Sequence, residues 1–359
     1  MRRFLAFAAA TLGLAGAAPA KELFLGSYPD QLLIFDEGAG AVTGRIKLAS
    51  GLPTSMQLSP DGKRIYVTTI TTSGIEVIDT ATKRVINQFS LNDGPTRWRF
   101  WGGVPDPTGR FFYTVGTKFE KGIDRYTVSK PLYIVIDLQA KKVARTAEVE
   151  EQDDRTSGRG GFKISPDGRF LYNFGEKVVI VDTATLKAVE RIELAKPEGL
   201  GLEEVGFGTQ LENQRDPRRL VALFNAADPY IHNKIFGVAR FDLTTRAFDF
   251  TPIGPAPDAM AGLQLSPDGN IAYTVVTNGK LGNKRCEFWR FDMKTNAVQG
   301  KAEFQCRSRF RFGLSGDGSK LYIYGASYDV EVYDAATLKR EKVWDLGADT
   351  TGAGMVIAG

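Results

Sequence analysis

One short pattern recurs along this 359-residue chain and constrains its fold more than any other feature. At residues 59–62 the sequence Ser-Pro-Asp-Gly predicts a tight turn, because proline fixes φ at the second position and glycine accepts a positive φ. The β-branched and aromatic runs at residues 65–69 and 75–78 predict two short strands. A second turn, Asp-Thr-Ala-Thr at residues 79–82, leads into a third run at residues 84–89. The unit is therefore predicted to be a small antiparallel meander.

The aspartate that begins the second turn marks seven copies of this unit. Successive copies are 42 to 60 residues apart, a spacing that matches four short strands per unit. The longer spacings carry inserts, such as residues 118–130 and 225–234. Because the aspartates occur once per unit and do not converge, we interpret them as structural turn residues and not as metal ligands. They are Asp36, Asp79, Asp137, Asp182, Asp242, Asp292 and Asp334.

The first unit differs from the others because it has no turn of the Ser-Pro-Asp-Gly kind before it. The chain enters directly at Leu23, which leaves this unit three strands where the others have four. The C-terminal tail, residues 352–358, has the length and position of the missing innermost strand. We expect it to pair with residues 23–28 and to close a ring without exposed sheet edges. The predicted fold is all-β, a seven-bladed β-propeller whose first blade is closed by the C-terminal strand.

The first twenty residues are typical of a secretory signal peptide. Arg2 and Arg3 precede a short apolar run, and an Ala-Pro-Ala cleavage site ends at Ala20. The run is shorter than the roughly 20 residues of a membrane span, so a membrane anchor is the weaker interpretation. We predict a signal peptide at residues 1–20, a propeller at residues 21–359, a periplasmic location and no membrane span after cleavage.

The charge balance argues against nucleic-acid binding. Without Arg2 and Arg3 the chain holds 44 basic residues against 42 acidic ones, so there is no basic excess to attract phosphates. Apolar residues at 43% and charged residues at 25% are the proportions of a globular protein with ample core.

Two cysteines, Cys286 and Cys306, fit an exported protein with one disulfide. If residues 288–292 pair with residues 297–301, Cys286 faces Glu303, and Cys306 lies just past the end of the strand. A bridge then requires the chain to curl back to a Cα separation of roughly 4.4–6.8 Å. Two independent buried thiols are the alternative. Neither cysteine belongs to a CxxC or CxxCH motif, so redox catalysis and haem attachment have no support.

The repeat resembles the YVTN family of propellers. The likeness rests on Ser-Pro-Asp-Gly, on Ile-Tyr-Val-Thr-Thr at residues 65–69 and on Ile-Glu-Val-Ile-Asp-Thr-Ala-Thr at residues 75–82, and it covers residues 22–359. This resemblance implies the fold but no particular function.

A narrower resemblance is to the propeller (β) subunit of quinohaemoprotein amine dehydrogenase and, more distantly, to the heavy chain of methylamine dehydrogenase. It is carried by residues 312–322, residues 330–341 and Gly-Arg-Gly-Gly-Phe-Lys-Ile-Ser-Pro-Asp-Gly at residues 158–168. The resemblance implies a subunit without a cofactor of its own. Its partners would be other periplasmic chains that carry a tryptophan-derived quinone and haem, and the propeller would cover their active site.

A binding site is expected at the mouth of the central channel where the innermost strands begin. Arginine forks suit carboxylates or phosphates, and tryptophan beside arginine offers a stacking surface. We expect an anionic or aromatic ligand there, or the acidic face of a partner chain. The alternative is that the arginines pair across the channel with the acids of another arc. The candidate residues are Arg97, Trp98, Arg99, Trp101, Arg159, Arg307, Arg309 and Arg311, with Glu203, Glu204 and Asp258 on that other arc.

The sequence gives little support for catalysis by this chain. Its one histidine, His232, lies in an insert with no G-x-S-x-G motif nearby, so we interpret it as a surface-loop residue. Zinc or copper sites built from several histidines are excluded by the same count. Asp153 and Asp154 are candidate calcium ligands, although residues 150–154 are more simply interpreted as a solvated acidic loop. No catalytic or metal-binding residue is predicted.

Three functions remain open at this stage. The first is the non-catalytic propeller subunit of a periplasmic amine dehydrogenase-like complex, and the second is a lone exported binding or scaffold propeller. The third is a lactonase-like hydrolase, because Leu-Phe-Leu-Gly-Ser-Tyr at residues 23–28 resembles the opening strand of seven-bladed lactonases. Its site would use Arg97 or Arg309 with Glu203.

Overall fold

A computed structural model shows seven antiparallel sheets built from 31 β-strands. The residues it describes are 22–153, 161–175, 177–195, 201–207, 216–228, 230, 233–325, 327–350 and 354–358. The predicted signal peptide, Arg159 and His232 lie outside these residues. Within them, no helix is long and apolar enough to cross a membrane.

Each sheet is one blade, and its main strands follow one another in chain order from the channel outward, except that the C-terminal strand is the innermost strand of the first blade. Blade 1 holds β1 (Glu22–Ser27), β2 (Gln31–Asp36), β3 (Ala41–Lys47) and the C-terminal β31 (Met355–Ala358). Blade 2 holds β4 (Pro53–Leu58), β5 (Arg64–Thr69), β6 (Gly74–Asp79) and β7 (Arg84–Ser90). Blade 3 holds β8 (Thr96–Phe100), β9 (Val104–Pro105), β10 (Phe111–Lys121), β11 (Tyr126–Val128), β12 (Leu132–Asp137) and β13 (Lys142–Glu148).

The remaining blades follow the same plan. Blade 4 holds β14 (Gly161–Ile164), β15 (Phe170–Phe174), β16 (Lys177–Asp182) and β17 (Ala188–Glu193). Blade 5 holds β18 (Glu203–Phe207), β19 (Arg219–Ala227), β20 (Lys234–Asp242) and β21 (Phe248–Pro255). Blade 6 holds β22 (Ala259–Met260), β23 (Gln264–Leu265), β24 (Ile271–Asn278), β25 (Arg285–Asp292) and β26 (Ala297–Phe304). Blade 7 holds β27 (Arg311–Leu314), β28 (Lys320–Tyr324), β29 (Asp329–Asp334) and β30 (Arg340–Asp345).

The C-terminal strand closes the ring as predicted. β31 pairs antiparallel with β1, so that Leu23 faces Ile357 and Phe24 faces Val356. Blade 1 therefore receives its innermost strand from the opposite end of the chain. The seven-bladed propeller and its closure by the C-terminal strand are both confirmed.

The apolar core is divided into seven clusters, and each lies between two neighbouring blades. Alternate residues of a strand point to opposite faces of its sheet, so each blade packs against both neighbours. The cluster between blades 7 and 1 joins Phe35 and Ile357 to Tyr322 and Trp344. Ring closure therefore rests on side-chain packing as well as on the pairing of β31.

The Ser-Pro-Asp-Gly turns are held by hydrogen bonds among their own residues. Ser59 Oγ donates to Asp61 Oδ1 at 2.6 Å, and the backbone N–H of Arg64 donates to Ser59 Oγ at 2.9 Å. Gly62 adopts φ +71°, which favours glycine at this position. The same two bonds recur in the turns that begin at Ser165, Ser266 and Ser315.

The seven repeated aspartates are structural, as expected. Each accepts a hydrogen bond from the backbone N–H three residues later, at 2.6–3.1 Å, which fixes the turn between the third and fourth strands. This is the local bonding that favours aspartate in turns.

The connections between strands fall on two different faces of the ring. The Ser-Pro-Asp-Gly turns and the aspartate turns share one face, which we call the turn face. The connections between second and third strands, such as residues 28–30, 117–131 and 279–284, share the other face with the links between blades. We call this the loop face, and both predicted inserts extend from it.

The predicted disulfide between Cys286 and Cys306 is present, with a Cα separation of 5.3 Å. The alternative of two independent thiols is therefore wrong. The predicted register was also wrong by one residue, because Cys286 faces Phe304 and not Glu303. A β-bulge after Arg290 shifts the pairing of β25 with β26.

Ring closure predicts that Ile357→Ala, in the closing strand, lowers the free energy of unfolding by about 2–5 kcal/mol. Ile357 is only 5% exposed and packs between blades 7 and 1. The matched control is Val343→Ala, at a side chain that is 49% exposed on β30, and it should change stability by less than about 0.5 kcal/mol. Urea denaturation measures both; equal effects would contradict the closure.

Because of its turn aspartates, we expect the protein to have a lower free energy of unfolding in acid. Hydrogen bonds from the residue three positions later hold the pKa of Asp79, Asp137, Asp182, Asp242, Asp292 and Asp334 below the ordinary 3.8. Bonds from Ser266 and Asn270 lower the pKa of Asp268 to about 2. A lowered folded-state pKa adds stability above the unfolded-state pKa, and this stability is lost as pH falls through the folded-state value. Stability should therefore fall between pH 4 and pH 2, as urea denaturation can measure, and Asp268→Asn should flatten the decline. Stability that is constant or rises over this range would contradict the assignment.

Candidate functional site

Blade 3 carries a small sheet that projects from the loop face. Residues 111–116 of β10 pair with β12 inside the blade, whereas residues 116–120 continue outward and pair with β8. β11 pairs with the other edge of this extension. The insert at residues 118–130 is therefore a structured platform, and β8 places the predicted residues Arg97, Trp98 and Arg99 on it.

The tryptophans of this segment have different roles. Trp98 is buried in the core between blades 2 and 3; its backbone N–H donates to Asn92 Oδ1 at 2.9 Å, and its carbonyl accepts a bond from Ser73 Oγ. Trp101 is 37% exposed, and the guanidinium carbon of Arg99 lies 5.6 Å from its ring centroid. Trp98 thus anchors the segment, and Trp101 with Arg99 forms an accessible stacking surface.

The two arginines on this platform are exposed to solvent, and hydrogen bonds to the backbone hold one of them, Arg97, in place. Arg97 is exposed, and its Nη1 donates to the backbone carbonyls of Gly94 and Thr96 at 2.7 and 2.8 Å. Arg99 is also exposed. Within the described part of the chain, neither guanidinium forms an ion pair with a carboxylate.

The second arginine segment lies in blade 7, and its members differ from one another. The side chain of Arg307 is 15% exposed and pairs with Asp329 at 2.7 Å and Glu331 at 3.4 Å, both on β29. Arg309, at φ +52°, and Arg311 are exposed. Arg307 therefore holds the segment in place, and Arg309 and Arg311 are available to a ligand.

The acids of the predicted second arc differ in their surroundings. Asp258 braces the loop after β24, because its Oδ2 accepts the N–H of Gly279 at 2.8 Å and its own N–H donates to Asn278 at 3.1 Å. Glu204 is exposed at φ +51°, beside the half-buried Glu203 on β18. Among the described residues, no ion pair joins a rim arginine to Glu204 or Asp258.

The ring order separates the candidate residues into groups. Residues 97–101 belong to blade 3, and residues 307–311 belong to blade 7, with blades 1 and 2 between them on the shorter path. Glu203 belongs to blade 5. The structure thus brings together residues 97–101 and, separately, residues 307–311, and it places Glu203 in a third blade.

The acidic run before blade 4 is solvated only in part: residues 150–152 are exposed as predicted, Asp153 is buried, and Asp154 lies outside the described residues. Asp153 is 1% exposed; Arg191 binds its carboxylate at 2.8 Å and Lys177 binds it at 2.9 Å. Burial is the largest single effect and raises the pKa of Asp153. The ion pairs with Arg191 and Lys177 together outweigh it, so the pKa lies below its ordinary value. Its oxygens therefore tie the incoming loop to blade 4. Among the described residues, no group of three or more His, Cys, Asp or Glu could hold a metal ion.

Exposed apolar side chains mark the loop face, a feature that the sequence analysis missed. Of the eleven large hydrophobic residues that are exposed in the described part of the chain, seven lie on the loop face, three on outermost strands, one between β8 and β9 and none on the turn face. The seven are Tyr28, Ile123, Tyr126, Val128, Tyr230, Leu281 and Tyr328, the three are Ile86, Val189 and Val343, and the one is Trp101. At Tyr28 and Leu281 the sequence signal was a single apolar residue in a short connection rich in Gly, Pro, Asp or Lys.

Comparisons with known proteins identify the fold but no family. No protein-family model matches the sequence, and no curated protein is similar to it. The YVTN and amine dehydrogenase resemblances therefore remain sequence-based expectations.

Three solved structures share the architecture at 13% sequence identity. One is a protein of unknown function from Desulfotomaculum acetoxidans, with a TM-score of 0.56 over 94% of this chain and 99% of that one. Another is dihydro-heme d1 dehydrogenase NirN in complex with DHE, with a TM-score of 0.54 over 97% of this chain and 77% of that one. The third is a putative 6-phosphogluconolactonase from Bacteroides fragilis, with a TM-score of 0.54 over 96% and 99%. At this identity the similarity establishes the fold alone.

The structural role of Arg307 and the exposed position of Arg309 predict that their variants differ in stability. Arg307→Met leaves Asp329 and the mostly buried Glu331 without their cation, so unfolding should become easier by about 2–3 kcal/mol. Arg309→Met, two residues away and exposed, should alter stability by less than about 0.5 kcal/mol. Chemical denaturation distinguishes them, and a similar loss in both variants would show that Arg309 is structural too.

Proposed function

We propose that this propeller is a non-catalytic subunit that binds a partner protein through its loop face. The partner we propose is an exported oxidoreductase chain of the amine dehydrogenase type. The observation that carries the proposal is the one-sided distribution of exposed apolar side chains, seven on the loop face and none on the turn face of the described chain.

This distribution has a physical reason only if the loop face is covered. The seven inter-blade clusters already bury the apolar residues that the ring needs, so the loop-face residues add nothing to its core. Apolar side chains grouped on one surface and rimmed by polar ones are typical of protein interaction sites. Aromatic residues and arginine, both present on the blade 3 platform, are also enriched at such interfaces.

The charges of the platform indicate what the partner contributes. Lys118 pairs with Glu120 at 2.5 Å, and Arg125 pairs with Asp124 at 2.8 Å, so these four charges balance. Arg97 and Arg99 leave the platform with an excess of positive charge. A partner with acidic groups beside an apolar patch would complement it.

The choice of an amine dehydrogenase-type partner rests on the sequence resemblance at residues 158–168, 312–322 and 330–341. It places the tryptophan-derived quinone and the haem on partner chains. In that arrangement this chain supplies surface and orientation, and its own residues hold no reacting group.

The test is capture of the partner from a periplasmic extract of the producing organism. Wild-type protein should retain a chain that stains for protein-bound quinone by redox cycling. The double variant Ile123→Asp, Tyr126→Asp should retain about tenfold less of that chain, because the two aspartates place charge in the apolar interface. The matched control is Ile86→Asp, at an exposed apolar residue of the outermost strand β7, which should retain the chain fully.

Two outcomes would contradict this proposal. One is a capture experiment in which the wild type retains no quinone-bearing chain, or in which the loop-face and control variants retain equal amounts of it. The other is turnover of lactones by the purified chain alone across a substrate panel, which would support the lactonase-like alternative.

A further inference from the structure

We infer that the partner bound by the loop face contributes an extended acidic segment, which adds as an antiparallel strand to the outer edge of β11. This inference rests on the proposed function, because it names the part of the partner that the blade 3 platform contacts. The edge of β11 indicates that the segment is extended, and the charges of the platform indicate that it is acidic.

The outer edge of β11 has unused backbone hydrogen-bonding groups. β11 pairs with β10 through its inner edge, and no strand of the described chain pairs with its outer edge. Hydrogen bonds from Gly122 N to Arg125 O at 2.8 Å and from Ser129 N to Lys118 O at 2.9 Å extend the ladder over residues 125–129. Because these groups alternate in direction along a strand, the N–H and C=O groups of residues 126 and 128 point away from β10. The edge can therefore accept one more strand.

The edge of β11 also lacks the protection that the outer edges of the blades have. Each outermost blade strand carries at least one charged residue, which discourages pairing with another chain. These strands are β3, β7, β13, β17, β21, β26 and β30. β11, Tyr-Thr-Val, carries neither a charge nor a proline, and all three of its residues are exposed. Its residue types are those that favour strand pairing.

The cations of the platform lie on the same face as Tyr126 and Val128. Cross-strand partners share one face of a sheet. Lys121 is opposite Tyr126, and Val128 and Arg97 are opposite the same residue of β10. Arg99, two residues after Arg97 on β8, lies on this face too. We call it the basic face.

The acids of the platform do not compensate these cations. Glu120 lies on the opposite face and pairs with Lys118 at 2.5 Å, and Asp124 pairs with Arg125 at 2.8 Å. Among the described residues, no ion pair involves a cation of the basic face. Carboxylates on the same face of the added strand complement this charge.

The test is calorimetry on the full chain with a blocked heptapeptide in which glutamate alternates with valine. The peptide residues opposite Tyr126 and Val128 form hydrogen bonds with them and share their face, so the bound peptide forms these bonds through its glutamates. N-methylation of the glutamates should therefore weaken binding at least about tenfold, and N-methylation of the valines should leave it unchanged. Replacement of every glutamate by lysine should weaken binding at least about tenfold, because the basic face then repels the peptide.

A variant of the chain tests the same edge. Val128→Pro removes an N–H that points away from β10, so it should keep the platform and weaken peptide binding about tenfold. Val128→Ala is the matched control because it keeps the N–H, and it should weaken binding by less than about fivefold. The N-methylated peptides are measured on the wild-type chain, so their result holds even where Val128→Pro disturbs the platform.

Strand addition would be overturned by no binding of the glutamate–valine peptide at millimolar concentration, by equal effects of the two N-methylations, or by undiminished binding in Val128→Pro. Equal binding of the lysine peptide would overturn the acidic class of the segment. Retention of the quinone-bearing chain, measured in parallel, separates the two proposals. If Val128→Pro still retains that chain, strand addition fails and the proposed function stands; if the wild type binds the peptide but retains no such chain, the proposed function fails.

Discussion

The packing of each blade against both of its neighbours is the interaction on which the rest of this structure depends. Third strands such as β6 and β12 are buried along almost their whole length, because they are covered on both faces of the sheet. A single blade could not bury these side chains alone, so stability comes only with the closed ring. The last of the seven clusters includes residues from both ends of the described chain, which makes the short strand β31 as important as any internal strand. Because the inter-blade clusters bury the apolar side chains that hold the ring together, the exposed apolar side chains of the loop face need a separate explanation.

Much of the fold could be predicted because turns impose strict chemical requirements. Asp79 and Gly62 are there because a backbone N–H needs an acceptor and a positive φ favours glycine; the aspartate recurs in every blade, and the glycine recurs at its turn position in five of them. Register was harder to predict. The bulge after Arg290 moved Cys286 by one position relative to its neighbour strand; the same shift lies just before the repeated aspartate in five other blades, so it belongs to the geometry of that turn and not to a residue type at the bulge. Asp153 was misjudged for a related reason, since Lys177 and Arg191 reach it only through tertiary structure.

The candidate site shows the same limit more clearly. Arg307 and Arg309 are equivalent in composition and almost adjacent, yet one is bound by two carboxylates and the other is exposed. Their difference depends on where β29 places Asp329 and Glu331. Repetition therefore specifies the scaffold, and the departures from it, on loops and at channel mouths, specify what the scaffold can bind.

The central claim is that the loop face is the surface this propeller presents to its partner. Hydrogen exchange of the chain, free and in complex with its native partner, tests it most directly. The account predicts slower exchange at residues 117–131 and 279–284 in the complex, with no change at the turn-face residues 59–63. Protection confined to the turn face or to the outermost strands would contradict it.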